Sequence, residues 1–329
     1  MKINSLRDAK LGLGNGLIAG ATWGVDTVLV GIIMASTPFI TSTEAIFLAP
    51  FVATFMHDFF SALWATLYMI IKGQFKNVLQ SLKTKNGGVI VLGALIGGPV
   101  GMTCYLLSVK YIGPAYTAAI TAMFPAVSAL LAGAILKEKI NARVWLGIGL
   151  SVVGVFVLGY MPSEFSIGSS FTLGLMFAIG TVLAWSLEGI ICALGMKDGD
   201  MNPEHAINIR QATSGLLYAI VIIPFINGYD LALSVVASPI GILIAVTALV
   251  GTISYICYYK AINTIGAARS TSLNITYVVW AIILQMIFMS TPVGLQLIAG
   301  SLIVIVGAVL VAGNPKELVS IKDLEGKIA

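Results

Sequence analysis

The sequence has few charged residues, few histidines and few cysteines for its length. Asp, Glu, Lys and Arg make up 10% of 329 residues, against about a quarter in water-soluble domains. The two histidines, His57 and His205, form no HExxH motif, and no nucleophile elbow is present, which argues against a metalloprotease or a lipid hydrolase. The three cysteines lie in apolar stretches, without the spacing of disulfides or metal sites. The sequence therefore predicts no enzyme, no cofactor and no metal site.

Apolar residues make up 58% of the chain, and runs of about 20 of them, each long enough to cross a bilayer, recur with brief polar breaks between them. The ten predicted spans, numbered in chain order, cover residues 12–36, 44–72, 87–109, 113–136, 141–161, 171–196, 204–226, 239–263, 266–289 and 293–313. The pattern predicts an all-α integral membrane protein with the lipid bilayer as its surroundings.

Basic residues lie in alternate connections between these spans. They are Lys2, Arg7 and Lys10 before span 1, Lys72, Lys76, Lys83 and Lys85 after span 2, Lys137, Lys139 and Arg143 after span 4, and Lys316, Lys322 and Lys327 in the tail. The loops between spans 1 and 2, 5 and 6, 7 and 8, and 9 and 10 contain no Lys or Arg, and only Lys110, next to the turn between spans 3 and 4, lies on that side. Because cytoplasmic loops carry the excess of positive charge, we expect a multi-pass protein of the cell (plasma) membrane with both termini cytoplasmic. The net charge of +4 then reflects topology and predicts no nucleic-acid partner.

The two halves of the chain resemble each other. An offset of 153 aligns residues 98–113 with residues 251–266, and also pairs Gly154 with Gly307 and Ser61 with Ser214. The predicted units are a first five-helix repeat at 1–160, a second five-helix repeat at 161–315 and a cytoplasmic tail at 316–329. An odd number of helices per repeat places the second copy upside down, so we expect two inverted repeats and alternating access between them.

Ionisable residues inside a bilayer are costly, so those in the spans are functional candidates. Trp23 and Asp26 in span 1 share a helix face, as do Trp185 and Glu188 in span 6. Further aromatic and polar side chains lie in spans 8 and 9, namely Tyr255, Tyr258, Tyr259, Asn274 and Tyr277. Together they would form an aromatic cage beside a carboxylate, which suits a small organic cation. The alternative is that these rings are packing or interfacial residues.

Three further charged or polar residues, His57, Asp58 and Arg210, also lie within predicted spans. They belong either to a network that couples transport to an ion or to structural pairs, such as Asp58 with Arg210 or Asp26 with His57. Both alternatives stay open at this point.

Two sequence features have a mechanical meaning. Glycines recur every four residues in span 1, at Gly12, Gly16, Gly20 and Gly24, which permits close approach of a helix from the same chain or from a second copy in a homodimer. Pro99 and Pro125 lie inside spans 3 and 4, where proline removes a helical hydrogen bond and forms a hinge or a tolerated kink. Their counterparts in the second repeat, Thr252 and Val278, are not prolines.

Several short strings make the resemblance to a known family specific. They are His57-Asp58-Phe59, AWxxE at 184–188, IRQxTS at 209–214, ISYxxYY at 253–259 and LNxxYVVW at 273–280. The chain resembles the drug/metabolite transporter superfamily of the ten-helix EamA-like type, and within it the bacterial choline permease branch. The resemblance covers nearly the whole chain. It implies a permease for choline or a related quaternary ammonium, bound by Trp23, Trp185, Glu188, Tyr255, Tyr258, Tyr259 and Tyr277; the alternative is an amino-acid or drug exporter of the same superfamily.

Overall fold

The computed structural model describes residues 6–135, 142–159, 169–196, 201–265, 270, 273–290 and 293–312. Its helices are α1 (Leu6–Met34), α2 (Thr43–Ile71), α3 (Phe75–Leu82), α4 (Lys85–Leu95), α5 (Thr103–Thr121), α6 (Phe124–Ile135), α7 (Ala142–Gly159), α8 (Ser169–Met196), α9 (Pro203–Leu217), α10 (Ile223–Phe225), α11 (Tyr229–Val236), α12 (Pro239–Ile265), α13 (Tyr277–Met289) and α14 (Leu295–Ala312). Two π-helical segments, Ile96–Met102 and Tyr218–Ile222, continue α4 into α5 and α9 into α10. The described residues contain no β-strand.

The helices follow the predicted spans and confirm an all-helical membrane protein. Six stretches are long and apolar enough to cross a bilayer within the described ranges: Lys10–Met34, Thr43–Ile71, Lys85–Thr121, Ser170–Met196, Pro203–Phe225 and Pro239–Ile265. Shorter apolar helical stretches lie in spans 5, 9 and 10. Spans 3 and 4 meet at the predicted turn, where Gly113 has a φ of 79°, a left-handed conformation that favours glycine. Lys137, Lys139 and the tail lysines lie outside the described residues.

Helices of the first half pack against helices of the second half. Helix α1 packs against α12, and α8, its counterpart in the second half, packs against α5. Helices α7 and α14, which correspond to spans 5 and 10, pack against each other. A Cβ at Gly154 would meet Val304, and one at Gly307 would meet the backbone of Gly147. The aligned glycines therefore permit the same close crossing from both sides, while the repeat boundaries stay a prediction.

Spans 4 and 9 are each interrupted at the same position of the repeat. In span 4 the amide of Met123 donates to the carbonyl of Ile120, and the carbonyl of Met123 accepts from the amide of Ala126. In span 9, 153 residues later, the amide of Thr276 donates to the Leu273 carbonyl, and the Thr276 carbonyl accepts from Val279. Pro125 is therefore not the cause of the interruption, because span 9 has the same break without a proline.

The glycine ladder of α1 is covered within the chain. A Cβ at Gly12 would collide with Ile265, and one at Gly16 with Leu273. Further along α1, a Cβ at Gly20 would meet the carbonyl of Asn274 at 2.8 Å. The ladder thus lets α1 lie close to the end of α12 and to the break in span 9. These contacts within the chain give no argument for a homodimer, which stays a prediction.

Candidate functional site

A partly open cavity, with about 540 Å³ of empty space that includes open solvent, lies between α1, α8, α12 and the interrupted spans 4 and 9. It is lined by Trp23, Phe124, Trp185, Glu188, Gly189, Cys192, Ser254, Tyr255, Tyr258, Tyr259, Ile262 and Asn274. The lining reaches Cys192 and Ile262, so the cavity lies towards the ends where α8 and α12 terminate.

Two tryptophans, one from each half, form a wall of this cavity. The ring centroids of Trp23 and Trp185 are 5.5 Å apart at an interplanar angle of 75°, and Tyr255 meets Trp23 at 5.2 Å. Behind them the buried Tyr105 packs 4.9 Å from Trp185. The indole Nε1 of Trp185 donates to the carbonyl of Gly97 at 3.2 Å. The rings are thus fixed by neighbouring groups and present aromatic surface to the cavity.

Glu188 supplies a carboxylate to the cavity. Its Oε1 accepts from Nε of Arg210 at 2.8 Å and from the hydroxyl of Tyr259 at 3.4 Å. The carboxylate lies directly against Gly97, where any side chain would collide with it. Gly97 belongs to the π-helical segment Ile96–Met102, a feature that often occurs at functional sites. The absence of a side chain at Gly97 therefore makes room for the acid.

Arg210 lies on α9 and is fully buried. Its guanidinium carbon lies 4.8 Å from the ring centroid of Tyr255. Its Nη1 donates to the side-chain oxygen of Gln211 and lies 3.7 Å from Oδ2 of Asp58. Its Nη2 has no hydrogen-bond partner among the described residues. One guanidinium is therefore shared between two carboxylates, and the contact with Glu188 is the shorter.

The polar chain continues from Asp58 to Asp26 through His57. His57 lies 3.2 Å from Asp58 through Nδ1 and 2.9 Å from Asp26 through Nε2. The pair of Asp26 and His57 is therefore in contact, as is the pair of Asp58 and Arg210 at 3.7 Å. The hydroxyl of Ser214 donates to Asp58 at 2.5 Å. All these side chains are buried. Asp58 is therefore held from two directions, by His57 and by Ser214.

Repeat-related glycines make room for this chain. A Cβ at Gly251 would lie 2.8 Å from Nε2 of His57 and 3.0 Å from Oδ1 of Asp26. A Cβ at Gly98, the counterpart of Gly251, would collide with Ser214. Gly98 and Gly251, which the alignment of the two halves pairs, therefore both border the same polar network.

Seven of the nine predicted substrate-binding residues line the cavity: Trp23, Trp185, Glu188, Tyr255, Tyr258, Tyr259 and Asn274. Asp26 does not, because its carboxylate is bound to His57 and is fully buried. Tyr277 does not either, because its hydroxyl is paired with Thr121 at 2.7 Å across the two interrupted spans. Asp26 and Tyr277 thus lie outside the cavity lining, and the role of all nine residues in substrate binding stays a prediction.

Sequence reasoning missed several lining residues, of which Phe124, Cys192 and Ile262 are the largest. Cys192 lies four residues after Glu188, and Ile262 lies three residues after Tyr259, so each shares a helix face with a predicted site residue. Phe124 follows the break in span 4, and no sequence signal places it here.

Two polar atoms of the lining residues have no hydrogen-bond partner among the described residues. They are the donor Nε1 of Trp23 and the acceptor Oδ1 of Asn274. Buried polar groups normally find a partner, so each of these atoms is a candidate partner for a ligand hydroxyl group. The cavity thus combines aromatic faces, one carboxylate and two free hydrogen-bonding positions.

Comparisons with known proteins identify a family to which the chain is related. A family model described as "EamA-like transporter family" matches residues 10–160 and 172–313. Protein LicB of Haemophilus influenzae is 32% identical over 203 residues, which cover 61% of this chain and 67% of LicB. The uncharacterized transporter YyaM of Bacillus subtilis is 25% identical over 77% of this chain and 84% of its own length.

A solved structure shares the fold. A crystal structure covering 93% of this chain and 96% of its own matches with a TM-score of 0.53 and 16% identity. At this level of identity the match concerns the fold alone.

Proposed function

The chain belongs to the EamA-like transporter family, and from this premise we propose that it is a secondary transporter for choline or a related quaternary ammonium cation. The observation that carries the proposal is the position of Glu188 in one cavity with Trp23, Trp185 and the tyrosines of α12. As a family member it is a multi-pass membrane protein with a small-molecule substrate; the identity of that substrate is the proposal.

A quaternary ammonium fits this chemistry because it carries charge but no N–H donor. Aromatic faces stabilise such a desolvated cation by about 2 kcal/mol or more, and the carboxylate of Glu188 supplies a counter-charge. The unpaired Nε1 of Trp23 and the unpaired Oδ1 of Asn274 are each candidate partners for the hydroxyl of choline. This match favours choline over a cation without a hydroxyl group.

The position of the cavity supports alternating access. Towards the opposite end of the molecule the core is closed by Tyr105, whose hydroxyl is bonded to Thr27, and by Tyr277, bonded to Thr121. With both termini cytoplasmic, as the basic loops predict, the cavity lies on the cytoplasmic side. An exchange of conformations between the inverted repeats would move the opening to the outside of the cell membrane, so that choline is carried inward.

The rival substrate is an amino acid, as for an exporter of the same superfamily. Its carboxylate would need a positive partner at the cavity, and no Lys or Arg is among the described residues that line it. Arg210, the nearest such group, is engaged by Glu188. This distribution of charge favours the cation.

Direct binding tests the proposal. We expect calorimetry on the purified protein in detergent to show saturable choline binding and at least tenfold weaker binding of dimethylbutanol, its neutral isostere. Glu188→Gln should remove this preference. The matched control is Glu204→Gln, because Glu204 is paired with Lys72 and Lys260 and does not line the cavity. Equal affinity of the wild-type protein for choline and dimethylbutanol would refute the proposal.

A further inference from the structure

The carboxylate that would bind the substrate already has a cation, because Arg210 donates to Glu188 at 2.8 Å. The same guanidinium lies over Tyr255 at 4.8 Å, which is the kind of contact that a substrate ammonium would make with this ring. Arg210 itself does not line the cavity. Arg210 thus makes some of the contacts that a substrate cation would make in the proposed site.

A second acid lies within reach of the same guanidinium. Oδ2 of Asp58 is 3.7 Å from Nη1 of Arg210 and is held in place by Ser214 and His57. Glu188, in contrast, is slightly exposed to the cavity, whereas Asp58 is not exposed at all. A shift of Arg210 towards Asp58 would therefore exchange one ion pair for another and release Glu188, the carboxylate that borders the cavity, for pairing with a substrate cation.

The charge balance supports such an exchange. With one proton on the pair of His57 and Asp26, carried by either residue, the two together are neutral. The other charged groups of this network are the carboxylates of Glu188 and Asp58 and the guanidinium of Arg210, which leaves one negative charge. A monovalent cation in the cavity neutralises it, which avoids the cost of an uncompensated charge in a medium of low dielectric constant.

We propose that Arg210 is an internal counter-cation that competes with the substrate for Glu188 and moves onto Asp58 when the substrate binds. This inference rests on the proposed function, since it requires a cationic substrate. Arg210 is then a positioning residue that sets the affinity for cations and lets the empty carrier keep Glu188 neutralised.

The test compares variants that act on the two sides of this competition. Asp58→Asn removes the alternative partner, so Arg210 stays on Glu188, and we expect the Kd for choline to rise at least about tenfold. Arg210→Gln removes the competitor, so the Kd for choline should fall at least about tenfold. In both variants the Kd for neutral dimethylbutanol should change less than about twofold, because the effect acts through charge. Glu204→Gln, a carboxylate removed elsewhere on α9, serves as the matched control.

The outcomes separate this inference from the proposed function. A wild-type protein that does not prefer choline over dimethylbutanol overturns both. A wild-type preference together with an unchanged choline Kd in Asp58→Asn overturns the role of Arg210 alone, as does weaker choline binding in Arg210→Gln. If Arg210→Gln does not fold, the Asp58→Asn result decides, because Asn can still accept the hydrogen bond from Ser214.

Discussion

The Nε atom of Arg210 lies 2.8 Å from Oε1 of Glu188, and both side chains belong to the buried centre of the bundle. Glu188 also borders the cavity, whereas Arg210 lies behind it. The acid at the substrate site is therefore one member of a chain of charges that runs through Asp58 and His57 to Asp26. Under the proposed function, substrate affinity and the packing of α2, α8 and α9 would depend on the same groups.

Replacement of a cage tryptophan should weaken cation binding selectively. Trp185→Leu keeps an apolar side chain but removes an aromatic face, so we expect the Kd for choline to rise roughly ten- to thirtyfold, or about 1.4–2 kcal/mol. Isothermal titration of choline and dimethylbutanol measures the effect, and the neutral ligand should be affected less. Trp145→Leu is the matched control, because Trp145 is exposed on the outer surface. Equal losses for both ligands would show that Trp185 acts through packing alone.

The hydroxyl of choline should be recognised by the unpaired atoms of Trp23 and Asn274. Asn274→Leu removes the acceptor at similar volume, so choline should lose affinity while tetramethylammonium, which has no hydroxyl, keeps it. Loss of one hydrogen bond of about 1 kcal/mol predicts a roughly fivefold fall in the preference for choline. Competition binding of the two cations measures the ratio. An equal loss of affinity for both cations would show that Asn274 acts by maintaining the structure of span 9.

Gly97 should tolerate no side chain, because its Cβ position is taken by the carboxylate of Glu188. Gly97→Ala should displace that carboxylate and raise the Kd for choline at least about tenfold, since the contact distance between the two charges would grow. Gly88→Ala on α4 is the control, because nothing lies within 4 Å of a Cβ there. Titration of both variants, with thermal midpoints to verify folding, checks this. Wild-type affinity in Gly97→Ala would show that Glu188 is not held against this glycine.

The buried pair of Asp26 and His57 should behave as a structural unit. Asp26→Leu leaves the imidazole without its 2.9 Å partner and should destabilise the protein by about 3–5 kcal/mol. The double variant Asp26→Leu, His57→Leu removes both polar groups and should recover part of the loss, because no pair is left half broken. Thermal unfolding in detergent measures both. A double variant less stable than the single one would contradict this account.

Much of the fold can be predicted from the sequence because a lipid bilayer restricts which segments can span it. A membrane span must be helical and apolar, so hydropathy located the spans, and the alignment of the two halves anticipated the glycines at the crossing of α7 and α14. The matched breaks of spans 4 and 9 were not predictable, since Pro125 has no proline counterpart. They arise where the two spans are joined by the bond between Thr121 and Tyr277.

Part of the cavity lining was predictable as well, because helical spacing shows which residues share a face. Residues that share a helix face with Trp185 or Tyr255 could be grouped by spacing, but the direction in which each face points depends on the neighbouring helices. Asp26 follows Trp23 by three residues yet turns towards α2 and α12, where Gly251 leaves space for its pair with His57. The contact between Arg210 and Glu188 joins α9 to α8, and no spacing within one helix indicates it.

Uptake of radiolabelled choline into sealed proteoliposomes tests the central claim most directly. The account predicts saturable uptake that is inhibited by other quaternary amines, unaffected by an aromatic amino acid, and abolished by Glu188→Gln but not by Glu204→Gln. Absence of choline uptake in vesicles that transport an amino acid would contradict it and would assign the protein to amino-acid transport with the same fold.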